Sequence, residues 1–203
     1  MDESKTSDTT RTHDGDYPSS LIEYAVRQWG YKFQSVQLKL GDITTAKESV
    51  ICHQCNCTSG RHGGLAGHIF NTWPRANTHS GIKMPGTISF FPFHASTRTQ
   101  GILNMYAQNR GGKPTPSEPP EVRLKWFETC LEAIATWAHE LVECQTKGTQ
   151  DCITLAFPFK IGCGLAGGEW KKYASLLDAF ASKHKHLLTI VLYQRLEDIP
   201  KQA

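Results

Sequence analysis

Apolar residues fall along this chain in short β-branched runs, separated by stretches with helical spacing. Val36, Leu38 and Leu40 alternate through Ser35–Leu40, which predicts a strand ending at Gly41-Asp42. Val50–Cys55 is a second, more continuously apolar strand, and Thr87–Phe93, Gly101–Ala107, Cys152–Phe157 and Leu187–Tyr193 read the same way. Leu65, Ile69, Phe70 and Trp73 have the spacing of a helix over 65–73 that Pro74 stops. Val122, Trp126, Cys130, Ile134, Trp137 and Leu141 mark one stripe of a helix from Val122 to about Lys147, and another helix runs from Glu169 to about His184. The apolar set Leu21, Ile22, Tyr24, Ala25, Val26 and Trp29 fits either a short helix or an extra strand. Gly111–Pro120, rich in Gly and Pro, reads as a stiff, exposed loop whose Pro-rich part either covers a ligand or only bridges strand and helix. Strands alternating with helices predict an α/β sandwich with a mixed sheet. Residues 19–203 form one domain, preceded at 1–18 by a disordered tail rich in Ser, Thr and Asp.

Composition narrows the partners. The 203 residues are 39% hydrophobic and 20% charged, an ordinary globular balance with room for one sizeable core. No apolar stretch approaches the roughly 20 residues of a membrane span, and the polar start lacks the apolar core of a secretory signal. The expected location is therefore cytoplasmic or nuclear, and the expected state a monomer. The net charge of +3 is small, and only Lys171-Lys172 places two cations side by side. Specific nucleic-acid binding has little electrostatic support, although a small anionic ligand suits the balance.

Seven cysteines without a secretory signal point to reduced, buried thiols. Cys52 and Cys55 form a CxxC, but on the Val50–Cys55 strand residues three apart face opposite sides and cannot share a metal. No second CxxC completes four ligands, so no metal and no cofactor are expected.

The richest signal is a pair of glycine turns. Asn56-Cys57-Thr58-Ser59-Gly60-Arg61-His62-Gly63-Gly64-Leu65-Ala66-Gly67 follows one predicted strand, and Ile161-Gly162-Cys163-Gly164-Leu165-Ala166-Gly167-Gly168 follows another. Strand, bare backbone, then helix exposes amide N–H groups and a positive helix end to an anion. Two such turns suggest a ligand with two phosphates. Neither fits G-x-G-x-x-G or a P-loop, and either alone is equally read as a tight strand–helix connection.

Taken with Gly41-Asp42-Ile43-Thr44 and an Asn closing the next strand, these turns resemble a macro domain over about residues 36–194. Within that family His53-Gln54-Cys55-Asn56-Cys57, Trp73-Pro74-Arg75-Ala76, Ile161-Gly162-Cys163-Gly164, Trp170-Lys171 and Val191-Leu192-Tyr193-Gln194 are most similar to the fungal ADP-ribose 1''-phosphate phosphatase branch. The resemblance implies a three-layer α/β/α sandwich that binds ADP-ribose. It implies that Asp42 contacts the adenine amino group beside the Ile43 amide, and that Asn56 holds the distal ribose hydroxyls. The backbone of Gly63, Gly64, Leu65 and Ala66 and of Ile161, Gly162, Cys163, Gly164, Leu165 and Ala166 would cradle the phosphates. His62 would touch the distal ribose or its phosphate. Each of these has a plainer alternative: a turn or cap for Asp42, a strand-end cap for Asn56, an exposed loop residue for His62.

His53 matches the family histidine implicated in phosphate-ester hydrolysis, with Asn56 as its orienter; it also fits a satisfied core residue. The departures are equally informative. Ala66 and Ala166 stand where hydrolases of ADP-ribosylated protein carry acids, and Ile69-Phe70-Asn71-Thr72 offers no counterpart of the nucleophilic lysine. Three activities remain open: hydrolysis of the terminal phosphate of ADP-ribose 1''-phosphate, removal of ADP-ribose from protein, and non-catalytic reading of ADP-ribose.

Overall fold

The alternation of strands and helices closes into a single sheet covered on both faces. The computed structural model describes residues 23, 27, 30–46, 49–58, 63–78, 81–143, 152–195 and 197; the tail at 1–18, the apolar set from Leu21 to Trp29, and His62 lie outside them. In chain order the elements are β1 (Gln37–Leu40), β2 (Val50–Asn56), α1 (Gly64–Thr72), β3 (Ile88–Pro92), β4 (Gly101–Gln108), α2 (Pro120–Glu143), β5 (Ile153–Pro158), α3 (Trp170–Lys183) and β6 (Leu188–Gln194). They form a sheet of order β1-β6-β5-β2-β4-β3, parallel throughout except for β3, which runs antiparallel to β4 at one edge. The sheet is mixed, the layers are α/β/α, and no helix among the described residues is long and apolar enough to cross a membrane.

Period-two alternation decides which side chain goes where. Val50 and Cys52 of β2, Leu103 and Met105 of β4, Leu155 and Phe157 of β5, and Ile190 and Leu192 of β6 all point into the core shared with α2 and α3. Ile51 and Cys55, Ile102 and Tyr106, Ala156, and Val191 and Tyr193 point into the opposite core, against Ile69 and Phe70 of α1. Two-sided burial explains why the central strands are continuously apolar. Cys52 and Cys55 accordingly lie in different cores.

Two expectations need correction. The buried stripe of α2 consists of Arg123, Phe127, Cys130, Leu131, Ile134, Ala135 and Ala138, while Val122 and Trp126 are only partly covered. The stripe is rotated because a charged residue, Arg123, occupies its first turn, which an apolar pattern does not reveal. Nor is Gly111–Pro120 simply an exposed loop, since Glu118 within it is only 3% exposed and paired with Arg123.

Asp178 of α3 provides another buried anchor. Its carboxylate accepts from the N–H groups of Gln34 and Ser35 at 2.8–3.1 Å and from the Tyr31 hydroxyl at 3.4 Å, fixing the chain on its way into β1.

Three histidines meet where α2, the end of α3 and the approach to β6 converge. The rings of His139, His184 and His186 are 6.1–6.4 Å apart. Burial first, then the neighbouring Lys183, His139 and His186, pushes His184 below the usual histidine pKa. Its Nδ1 is buried without a hydrogen-bond partner. The unfolded chain therefore binds this proton more readily than the folded one. Stability should fall as pH drops below about 6.5 and level off below the lowered folded pKa. Urea midpoints measured from about pH 7.5 to about pH 5 should show this slope, and His184→Gln should flatten it.

The helices leave the centre of the sheet in opposite directions. The connection after β2 enters α1 on one face, and that after β5 enters α3 on the other. β2 and β5 are neighbours, but their ladder carries only Val50↔Leu155 and Ile51↔Ala156 before the strands part. A crevice thus opens at their carboxyl ends, the position where ligands enter open α/β sheets.

Candidate functional site

The crevice is a cavity of about 710 Å³, a size that holds a nucleotide-like ligand. Both glycine turns line it: Gly63, Gly64, Leu65 and Ala66 from one side, Ile161, Gly162, Gly164, Leu165 and Ala166 from the other, with His53 and Asn56 of β2 between. Asp42, Ile43 and Cys163 are not among its lining residues.

The first turn ends as the start of α1. Gly63 is the N-cap with no side-chain cap bond, Gly64 follows at φ +57, and the first helical turn has no acidic residue. The leading N–H groups of α1 have no acceptor within the helix, and they carry the positive end of its dipole.

The second turn is held by its own backbone. Cys163 N–H donates to Lys160 O, Gly167 N–H to Gly164 O and Gly168 N–H to Gly162 O, at 2.9–3.1 Å. Among the described residues the N–H groups of Gly164, Leu165 and Ala166 have no protein acceptor. Gly162, at φ +72, has no room for a side chain: a Cβ would lie 2.6 Å from both Gln54 Oε1 and the Tyr173 ring. The two turns touch through Leu165, whose Cδ1 would be 3.1 Å from a Cβ on Gly63.

A bulge in β2 between Gln54 and Asn56 brings Asn56 opposite Gln108 of β4; bulges commonly re-aim a side chain in this way. Gln54 Nε2 donates to Gln108 Oε1 at 2.9 Å across the cavity wall. The cationic residues of the lining are Lys83, Arg110 and Lys160, and no carboxylate is among the described residues that line it. Gln54, Gln108, Lys83 and Arg110 were not evident as site residues in the sequence, because each belongs to the cavity only through the sheet order.

His53 is 1% exposed and sits edge-on to Phe70, ring centroids 5.3 Å apart. Its cross-strand neighbour is Asn104, whose Oδ1 lies 2.6 Å from His53 Nε2. Asn104 Nδ2 donates to Ala76 O at 2.8 Å, which orients the amide and assigns the proton to His53 Nε2. The Cys55 thiol lies 3.6 Å from both ring nitrogens. Burial pushes that thiol well above its usual pKa, so it stays protonated and donates weakly. Asn104 was legible only as a polar residue inside the apolar Gly101–Ala107 run. Such a residue must find a hydrogen-bond partner.

Asp42 caps the short 3-10 turn Ile43–Thr45: its Oδ1 accepts from Thr44 N–H and Thr44 Oγ1, both at 2.9 Å. Ile43 is buried. The Cys163 thiol, partly buried beside the turn, has its pKa pushed up to about 12 by burial. Glu169 occupies the N-cap position of α3 without a side-chain cap bond and instead pairs with Lys172 at 2.9 Å. Among the described residues no group of three or more His, Cys, Asp or Glu is arranged to hold a metal ion.

No family model and no curated relative matches this sequence. Solved structures do. The macrodomain of Thermus aquaticus DarG matches with a TM-score of 0.58 at 14% identity, covering 78% of this chain and 97% of that one. The macrodomain of Mycobacterium tuberculosis DarG matches with a TM-score of 0.57 at 16% identity, over 78% and 96%. A Trypanosoma brucei macrodomain solved in complex with ADP matches with a TM-score of 0.50 at 12% identity, over 90% and 86%. At such identities the likeness concerns the path of the chain, and it spans nearly the whole of each bacterial domain. This chain therefore has the macrodomain fold.

Proposed function

We propose that this chain is a macro domain family member that binds ADP-ribose, the diphosphate lying between the two glycine turns. The observation that carries this reading is the meeting of those turns across one cavity, each with N–H groups that lack a protein acceptor among the described residues. In this reading the amides of Gly63–Ala66 and Gly164–Ala166 take the phosphates, the Cys163 amide being held by Lys160 O instead, and Asn56 holds the distal ribose. Asp42 lies outside the cavity lining and uses Oδ1 for its cap bonds, so it is through Oδ2 that it would meet an adenine amino group extending beyond the cavity. The Trypanosoma brucei neighbour with bound ADP supports a ligand of this chemistry.

A second reading, hydrolysis of the terminal phosphate of ADP-ribose 1''-phosphate, is favoured by the charge of the lining. Lys83, Arg110 and Lys160 suit an additional phosphate. That no carboxylate is among the described lining residues, with Ala66 and Ala166 in place of acids, disfavours water activation for removing ADP-ribose from protein. The same reading makes His53 the reacting base or nucleophile. Its Nε2 is engaged by Asn104, so Nδ1 is the atom that would act.

Calorimetric titration with ADP-ribose and phosphate release from ADP-ribose 1''-phosphate test both readings. A glutamine side chain in place of the imidazole retains an N–H for Asn104. His53→Gln is therefore expected to lower phosphate release by about 10² to 10⁴-fold, while ADP-ribose affinity holds within about threefold. Binding without phosphate release by the unaltered chain leaves a reader of ADP-ribose. Loss of label from an ADP-ribosylated protein supports the protein hydrolase, and absence of ADP-ribose binding overturns the primary reading.

A further inference from the structure

The connector Gly111–Pro120 carries no recognisable ligand motif, yet it is tied to the cavity by the most buried ion pair among the described residues. Glu118 accepts from Asn109 N–H at 3.0 Å and from Arg110 N–H at 3.1 Å. It also accepts from Arg123 Nε at 2.8 Å. Arg123, 1% exposed, then donates to four carbonyls: Gly112 at 2.6 Å, Ala166 at 2.9 Å, Arg110 at 3.2 Å and Lys113 at 3.4 Å. Three of these belong to the connector and the residue that leads into it, and the fourth belongs to the second glycine turn.

In a trans peptide the C=O and the following N–H point in opposite directions. Drawing the Arg110 carbonyl onto the guanidinium therefore turns the Gly111 N–H away from it. Gly111 and Gly112 line the cavity, and among the described residues the Gly111 N–H has no protein acceptor. Gly112 adopts φ +87, a conformation that lets its carbonyl join the same guanidinium. The connector and the second turn are also in contact, since a Cβ on Gly167 would lie 2.9 Å from Pro114 Cδ.

We propose that Arg123, clasped by Glu118, is a positioning residue that makes Arg110–Gly112 a third anion-facing wall and holds it in register with the second glycine turn. The wall offers the Gly111 N–H and the Arg110 side chain to an anionic group of the ligand, a phosphate oxygen in the ADP-ribose reading on which this inference rests. The role requires a planar fork with several fixed donors. A lysine ammonium at the same place supplies charge without that geometry.

Arg123→Lys tests the assignment, with Glu118→Gln as a second variant should the first fail to fold. Two readouts are needed: ADP-ribose titration, and residue-resolved amide hydrogen exchange of the unliganded protein. The expected result is a loss of ADP-ribose affinity of at least about tenfold. Exchange should also accelerate at least about tenfold at the hydrogen-bonded amides of Asn109, Arg110, Cys163, Gly167 and Gly168, while Ile51, Leu103 and Leu155 keep their protection. Unchanged exchange at the two loops overturns the clasp. So does acceleration spread equally over loops and strands, which describes a residue that only stabilises the fold. Should the unaltered chain fail to bind ADP-ribose, the binding reading fails, and the exchange pattern still decides whether Arg123 sets these loops.

Discussion

Gly162→Ala is expected to destabilise the protein by about 2 to 5 kcal/mol and to weaken ADP-ribose binding at least about tenfold. Two costs add. The native φ of +72 is a left-handed conformation that costs an L side chain about 1 to 2 kcal/mol. The added Cβ would also lie 2.6 Å from Gln54 Oε1 and from the Tyr173 ring. Tyr173 is buried against Phe127, ring centroids 4.7 Å apart, and cannot withdraw without disturbing the α2–α3 core. The turn itself must therefore shift, and with it the N–H groups of Gly164–Ala166. Gly164→Ala provides the contrast. A Cβ there would meet no atom within 4 Å, so its urea midpoint should correspond to a stability within about 0.5 kcal/mol of the unaltered chain. Equal stabilities for the two variants would show that the close approach at Gly162 is not a real constraint.

Glu118→Ala should cost about 3 to 5 kcal/mol, because it removes one partner of a buried pair and leaves the other uncompensated. The loss comprises three acceptor interactions, to Arg123 Nε and to the N–H groups of Asn109 and Arg110. The comparison that isolates the charge is the double variant Glu118→Leu with Arg123→Met, which removes both ions and keeps apolar volume. It should recover part of the stability without recovering ligand affinity, since the four carbonyls on the guanidinium would be released once Arg123 is gone. Chemical denaturation of the single and double variants gives the coupling. A double variant no more stable than Glu118→Ala would show that the unpaired charge is not the source of the loss. By contrast, the exposed Lys125–Glu128 pair, at 2.7 Å against 2.8 Å for the buried one, should matter little.

Much of this architecture was legible in the residue pattern because the strands are local and periodic. Val50–Cys55 reads as a strand from its apolar continuity alone, and the sheet extends it by one residue to Asn56. The glycine turns were also legible as turns, although each alone reads equally as a tight strand–helix connection. The stripe on α2 was displaced because Arg123 is buried by a partner, Glu118, that lies in what reads as loop. The role of His53 was open for a similar reason. Whether an isolated histidine in an apolar strand is a base or a satisfied core residue depends on what faces it, and the facing residue is Asn104 on another strand.

The sequence by itself determined the strand–helix alternation, the continuous apolar run of Val50–Cys55 and the presence of two glycine turns between strand and helix, because these depend on short-range period and on glycine's freedom at φ. Only the tertiary structure decided that the turns share a cavity, through the adjacency of β2 and β5 and the early end of their ladder. It also decided that Lys83, Arg110 and Lys160 face the same space and that one buried arginine joins the connector to the second turn. Those relations link residues tens of positions apart, and no local periodicity encodes them. They follow from which strands pair and from the need of each buried polar group to find a partner.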